Sequence, residues 1–244
     1  MHKNVFQMRT VPTLYIVFTS ILTLCIEDGQ IFRILFGIVC LLALFELISF
    51  RYTPGYTSIR RANLYRGLEF LIILGGLAYV FSASQTNIAL LFFCAWGADA
   101  LAWFVGNTIG GKIIKISPFP YTAPTKTIEG TLAQFFAPIL AFWFALGVRT
   151  LLGHPICGVV DVALNDWYFA CIGPCVFLGD IFASKVKRSF GIKNSSTWAV
   201  ALHPFYRPVK NFLGAHGGWL DRIDSVTFSG AMLLFLGWFY TLFC

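Results

Sequence analysis

The sequence predicts an all-α polytopic membrane protein of about seven transmembrane helices, with its N-terminus inside and its C-terminus outside. Three observations carry this reading. Of the 244 residues, 57% are hydrophobic and only 12% charged, about half the charge that keeps a soluble domain solvated, and the mean hydropathy is +0.74. Apolar runs close to the roughly 20 residues needed to cross a bilayer recur along the chain. Finally, Lys and Arg are divided unevenly among the loops between those runs.

The spans fall at 11–26, 31–50, 67–84, 87–106, 132–150, 167–183 and 226–244. The first is short for a span and could extend into its flanks; it lacks a small-residue cleavage site and reads as an anchor rather than a removed leader. The second and third carry Glu46 and Glu69, the fourth Asp99, and the sixth ends near Asp180. The stretch 151–166 contains Asp161 and Asp166, and reads as an outer loop that is partly re-entrant. All of the Lys and Arg residues except Arg33 and Arg149 fall on one side when the N-terminus is inside. Both long polar segments, 107–131 and 184–225, then face the cytosol. The whole of 1–244 reads as one membrane-embedded domain: N-terminal spans to about 90, a polar-motif region over 91–225, and the last span.

The net charge of +7 sits in particular loops, a topology signal and not a nucleic-acid patch. The seven cysteines show no CxxC spacing and lie mostly in apolar runs, where Cys acts as a small hydrophobe. A disulfide framework and a zinc site are both disfavoured. No Ser-His-Asp or Cys-His constellation is present.

Ionisable residues inside spans are expensive and are functional candidates by default. For Glu46 and Glu69, near which nothing else clusters in sequence, a packing role is the simpler account. Asp99 and Asp180 each lead into a polar, glycine-containing loop and read as functional. The first loop, GNTIGGKIIKISPFPYTAPTKTIEG, offers glycines and lysines suited to phosphate oxygens, but lacks a P-loop's GxxxxGK[ST]. Within it, Thr125 or Thr127 with Glu129 equally suits a helix cap. The second loop brings Lys187, Arg188 and Lys193, then His216, Asp221, Arg222 and Asp224 within nine residues. If the last helix begins near Trp219, Asp221 and Asp224 share one face of its first turns. They could serve only the helix dipole. Paired carboxylates without soft ligands also suit Mg²⁺ bridging substrate phosphates.

These motifs resemble those of the phosphatidate cytidylyltransferases (CDP-diacylglycerol synthases). Ser184-Lys185-Val186-Lys187-Arg188 followed by Lys193-Asn194 is similar to the first half of that family's C-terminal signature. The run from Leu213 to Asp224, with His216-Gly217-Gly218 and Asp221-Arg222-Ile223-Asp224, is similar to its second half. Gly179-Asp180, Asp99 with Gly106 and Gly110, and Pro124 to Gly130 resemble its upstream elements, and the likeness covers about 90–224. The chain departs from the pattern at Asn194, where the family has Asp, at Ala123 for Ser, at Trp219 for an aliphatic residue, and in a longer spacer over 195–212. It therefore resembles a divergent member.

The resemblance implies transfer of CMP from CTP to phosphatidic acid or a related lipid phosphate at an integral membrane site facing the cytosol, the inner membrane if the source is bacterial. It implies Mg²⁺, with room for a second cation, held by Asp180, Asp221, Asp224 and Asp99. Lys187 and Arg188 would act with those carboxylates in catalysis. Lys126, Glu129, Ser184, Lys193, Asn194, His216, Gly217, Gly218 and Arg222 would contact substrate. The implied partners are CTP, the lipid phosphate and the bilayer, with no nucleic acid; a homo-oligomer stays open. An ether- or isoprenoid-linked lipid phosphate, or an inactive scaffold of the same fold, are the alternatives.

Overall fold

A computed structural model describes residues 29–51, 57–114, 116–118, 126–151, 171–192 and 218–243. The described residues form six helices and no strands: α1 (Gln30–Ser49), α2 (Ile59–Ser82), α3 (Gln85–Thr108), α4 (Ile128–Leu151), α5 (Ile172–Ser189) and α6 (Leu220–Phe243). The expected span at 11–26 and the segment 152–166 lie outside the described residues. Among the described residues, three helices are long and apolar enough to cross a membrane by length and composition: α1, α2 and Asn87–Thr108 of α3.

Two helices begin well before their apolar runs. Ser58 caps α2, its hydroxyl accepting from the Arg61 amide at 3.5 Å, so the helix takes in the polar IRRANLYR stretch before the expected start. α6 likewise starts at Leu220, which places Asp221 and Asp224 inside its first two turns. Hydropathy marks only the apolar part of a helix, whereas caps and backbone hydrogen bonds set where it starts. At the other end, α5 runs on through Lys187 and Arg188 in its last turn, where cations favour the helix dipole.

α6 packs most extensively on α2 and α5, while α3 pairs with α4. Small residues make the α2–α6 crossing. A Cβ on Gly76 would sit 2.5 Å from the Thr227 Cα, and one on Gly75 would lie 2.9 Å from the Ala231 Cβ. The α5–α6 crossing is as close: a Cβ on Gly179 would lie 2.7 Å from the Phe228 Cβ. With lipid outside, close backbone approach and van der Waals contact replace the hydrophobic effect in holding helices together. α1 and α3 instead interlock through rings, Phe92 standing edge-on to Phe32 and Phe36 at 4.8 and 5.2 Å. Arg33 of α1 donates to the carbonyls of Val80 and Ala83 at 3.2 and 2.8 Å, closing the C-terminal end of α2.

Many large apolar side chains point outward, including Leu41, Ile48, Leu71, Phe104, Trp143 and Trp238. In water they would make an aggregating surface; on long apolar helices they are a lipid-facing one. The protein is an integral membrane protein. Cys40, Cys94, Cys171 and Cys175 are free thiols.

Candidate active site

Four helix segments bring the polar residues together: the C-terminal half of α3, the start of α4, the second half of α5 and the first turns of α6. Lys187, buried near the end of α5, forms an ion pair with Asp221 on α6. The other oxygen of Asp221 accepts from the Gly218 amide at 3.0 Å, so this carboxylate is fixed from both sides. Asp224 lies one turn further along and is buried. It interacts electrostatically with Asp180, Lys187, Asp221 and Asp99. Its Oδ1 accepts from the Ser225 amide at 2.8 Å.

A second lysine–aspartate pair lies beside the first. Lys126, just before α4, meets Asp180 of α5 at 2.5 Å. The ammonium also stands 5.1 Å from the centre of the Phe177 ring, a cation–π contact that holds it over α5. Asp99 of α3 accepts from the Gln134 amide group and the Ser225 hydroxyl, each at 2.9 Å. It also interacts with the charges of Asp180 and Lys126. Four carboxylates from three helices and two lysines thus share one polar cluster inside a predominantly apolar bundle. Among the described residues, no three His, Cys, Asp or Glu side chains converge as a ready-made metal site.

The glycine-containing loop is organised from within. Thr127 caps α4, its hydroxyl accepting from the Gly130 amide at 3.2 Å. Glu129 turns the other way, and its carboxylate accepts from the amides of Gly111, Ile113 and Ile114 at 3.1, 3.2 and 2.9 Å. These bonds, that of Ile114 foremost, hold the Glu129 carboxyl down at about 2; it lies just before the 132–150 span. Gly111 takes φ +71°, a left-handed conformation that side chains disfavour. Of the Gly110-Gly111 pair, Gly111 gives its amide to Glu129 and Gly110 to the Val105 carbonyl at 3.1 Å, so neither is open to a phosphate.

The sequence profile of the Cytidylyltransferase family matches residues 70–240, a stretch that contains every described member of this cluster. The chain belongs to this family. It is 27% identical over 219 residues to the phosphatidate cytidylyltransferase of Rickettsia bellii, covering 84% of this chain and 81% of that protein. It is 31% identical over 158 residues to that of Haemophilus influenzae, covering 62% of this chain and 44% of the relative. With the Bacillus subtilis enzyme it shares 27% over 209 residues, covering 83% and 66%. The chain thus spans most of the Rickettsia protein but about half the length of several other curated relatives, as with Helicobacter pylori at 49%. No solved structure gives a significant match.

Of the residues singled out in the sequence, Asp99, Lys126, Asp180, Lys187, Asp221 and Asp224 are brought together. Ser184 and Arg188 are half-buried on α5, and Arg222 is half-buried in the first turn of α6. Glu129 belongs to the loop's internal bonding, and the Gly218 amide is already bonded to Asp221. Lys193, Asn194, His216 and Gly217 lie outside the described residues.

Two acids given only a packing role do more than pack. The Glu46 carboxylate, fully buried, accepts from the amides of Trp219 and Leu220, each at 3.0 Å. Buried Glu69 of α2 interacts with the charge of Lys187. Gln134 and Ser225 escaped notice altogether, because an amide and a hydroxyl on apolar helices carry no charge to flag them.

Proposed function

We propose that this chain is a phosphatidate cytidylyltransferase that transfers CMP from CTP to the phosphate of phosphatidic acid, giving CDP-diacylglycerol and pyrophosphate. The observation that carries the reading is the coupling of the α5 and α6 motifs: Lys187 and Asp221, 34 residues apart, meet as a buried ion pair beside Asp224. The relatives' shared name supplies the substrates. A lipid phosphate is ionised at neutral pH, so its oxygen attacks the α-phosphorus of CTP without a strong general base. The bond to the β-phosphate breaks as the new P–O bond forms, and pyrophosphate leaves in line. Such chemistry needs alignment and charge neutralisation more than covalent catalysis.

Lys187 and Lys126 supply positive charge where phosphates would gather, and Arg188 and Arg222 adjoin Lys187 and Asp221 in the chain. Lys193, His216 and Gly217 join this set through the family resemblance. The donors are carboxylate oxygens, the kind a hard divalent cation such as Mg²⁺ takes, while among the described residues Asp180 and Asp221 are each paired with a lysine and no three acids converge as a ready-made site. Asp180, Asp221 and Asp224 would hold it, the first two on release from their lysine pairs, with Asp99 beside them. Bound there, the ion would neutralise the charge of the triphosphate. The topology that serves this reaction is seven spans, N-in and C-out, with the cluster facing the cytosolic pool of CTP. Asn194 keeps an oxygen but loses the charge of the Asp that the family resemblance places there, which would lower cation affinity unless another carboxylate compensates.

The test is purified full-length protein in detergent, given labelled CTP, Mg²⁺ and a panel of diacyl, ether and isoprenoid phosphates. CDP-diacylglycerol formation with phosphatidate bears the reading out. Turnover of another lipid alone corrects the substrate, and no turnover with any of them overturns the activity.

A further inference from the structure

Glu46 sits on α1, outside the region matched by the family profile, yet its carboxylate ends on the helix that carries Asp221 and Asp224. The first amides of a helix have no acceptor within it. In α6 the Trp219 and Leu220 amides are both met by Glu46, one by each oxygen. The Arg222 amide closes a tight turn onto the Trp219 carbonyl at 3.0 Å. Leu220 is fully buried and Trp219 packs against the core, so water is a poor substitute for the carboxylate. The two-point contact fixes the height and rotation at which α6 begins. Asp221 follows immediately and reaches back to the Gly218 amide and across to Lys187, and Asp224 lies one turn beyond.

We infer that Glu46 is a positioning residue for the transfer reaction: its bidentate grip on the Trp219 and Leu220 amides sets the register of α6 and thereby the placement of Asp221 and Asp224. The inference rests on the activity proposed above. The N-terminal helices therefore complete the site rather than merely anchoring it.

The experiment compares full-length Glu46→Gln and Glu46→Ala with Ile88→Ala, a fully buried position at the opposite end of α3. Steady-state kinetics and hydrogen exchange of the 218–226 peptide are read on each. Misplacing a reacting group by about 1 Å can cost on the order of a hundredfold in rate. Accordingly, Glu46→Ala is expected to lose about a hundredfold in kcat, and Glu46→Gln, which keeps one acceptor oxygen, about tenfold. KM for the lipid should stay within about twofold, and exchange at Trp219 and Leu220 should accelerate in both. Ile88→Ala should lower the melting temperature but keep kcat and that exchange near wild type. Unchanged exchange in Glu46→Ala overturns the inference, as does a kcat loss no greater than that of Ile88→Ala at equal melting loss. A wild-type chain inactive with CTP and phosphatidate overturns the activity instead. The exchange arm then decides alone whether Glu46 sets the start of α6.

Discussion

Neutralising Lys187 and Asp221, singly and together, separates what the pair contributes to the fold from what it contributes to the chemistry. The two side chains are 9% and 13% exposed, and Asp224 and Asp180 lie within electrostatic reach of the lysine. Lys187→Met leaves Asp221 buried without its ammonium, and breaking a buried pair from one side costs about 3–5 kcal/mol. Asp221→Asn keeps an oxygen for the Gly218 amide, so its cost comes from the orphaned ammonium, which Asp224 and Asp180 still partly balance. It should fall near the lower end of that range. The double variant removes both charges and should regain about 2–3 kcal/mol relative to additivity. Recovery should be incomplete, because Asp224 still lacks the charge of Lys187, whereas Asp180 keeps Lys126. Thermal unfolding in detergent gives the coupling, and labelled-CTP turnover gives the activity. Stability should partly return in the double variant while turnover stays absent. Purely additive melting losses would refute the buried-pair reasoning, and restored turnover would show that the pair is structural alone.

Further expectations follow from the same geometry. Asp224→Asn should reduce Mg²⁺-dependent turnover by at least about a hundredfold, comparable to losing one electrostatic stabiliser; turnover within threefold of wild type would remove Asp224 from the site. Gly76→Val should cost at least about 1–3 kcal/mol through overpacking against the Thr227 backbone, whereas Gly67→Ala, with nothing within 4 Å, should gain about 0.5–1 kcal/mol in mid-helix; melting temperatures check both. Glu129 has a lowered carboxyl pKa, so the loop bonds it makes are present above the ordinary carboxylate range and are lost only as pH falls towards about 2. Exchange at Gly111, Ile113 and Ile114 should therefore stay protected at pH 4, near where an ordinary glutamate is half protonated, and Glu129→Gln should speed it at neutral pH.

The sequence made the charged half of the cluster legible. Asp99 and Asp180 stand out because a carboxylate in an apolar run needs a reason, and Asp221 with Asp224 because their spacing puts them on one helical face. What stayed hidden depends on partners without a pattern. Glu46 meets backbone amides 173 residues away, and any residue type at 219 or 220 other than proline would offer the same amide. The Glu129 contacts are equally silent, since capping offered a sufficient local explanation and the turn that consumes the carboxylate closes only in three dimensions. The helix start at Ile59 was missed for a simpler reason: its polar first turns lie beyond the reach of a hydropathy window. The same window put the last span at 226, although the spacing of Asp221 and Asp224 suited a start near Trp219.

The bond between Glu46 and α6 also raises a question of timing during synthesis. At about 5–20 residues per second, the amides it requires emerge roughly ten to thirty seconds after the carboxylate does. Throughout that interval α1 carries a polar group whose final acceptor role is unfilled, in a helix otherwise apolar enough to enter the bilayer. An early span of this kind depends for its settled state on the arrival of a later one, so biogenesis should be sensitive to truncation near residue 220. Chains stalled before that point should show α1 less stably inserted than chains that have released α6.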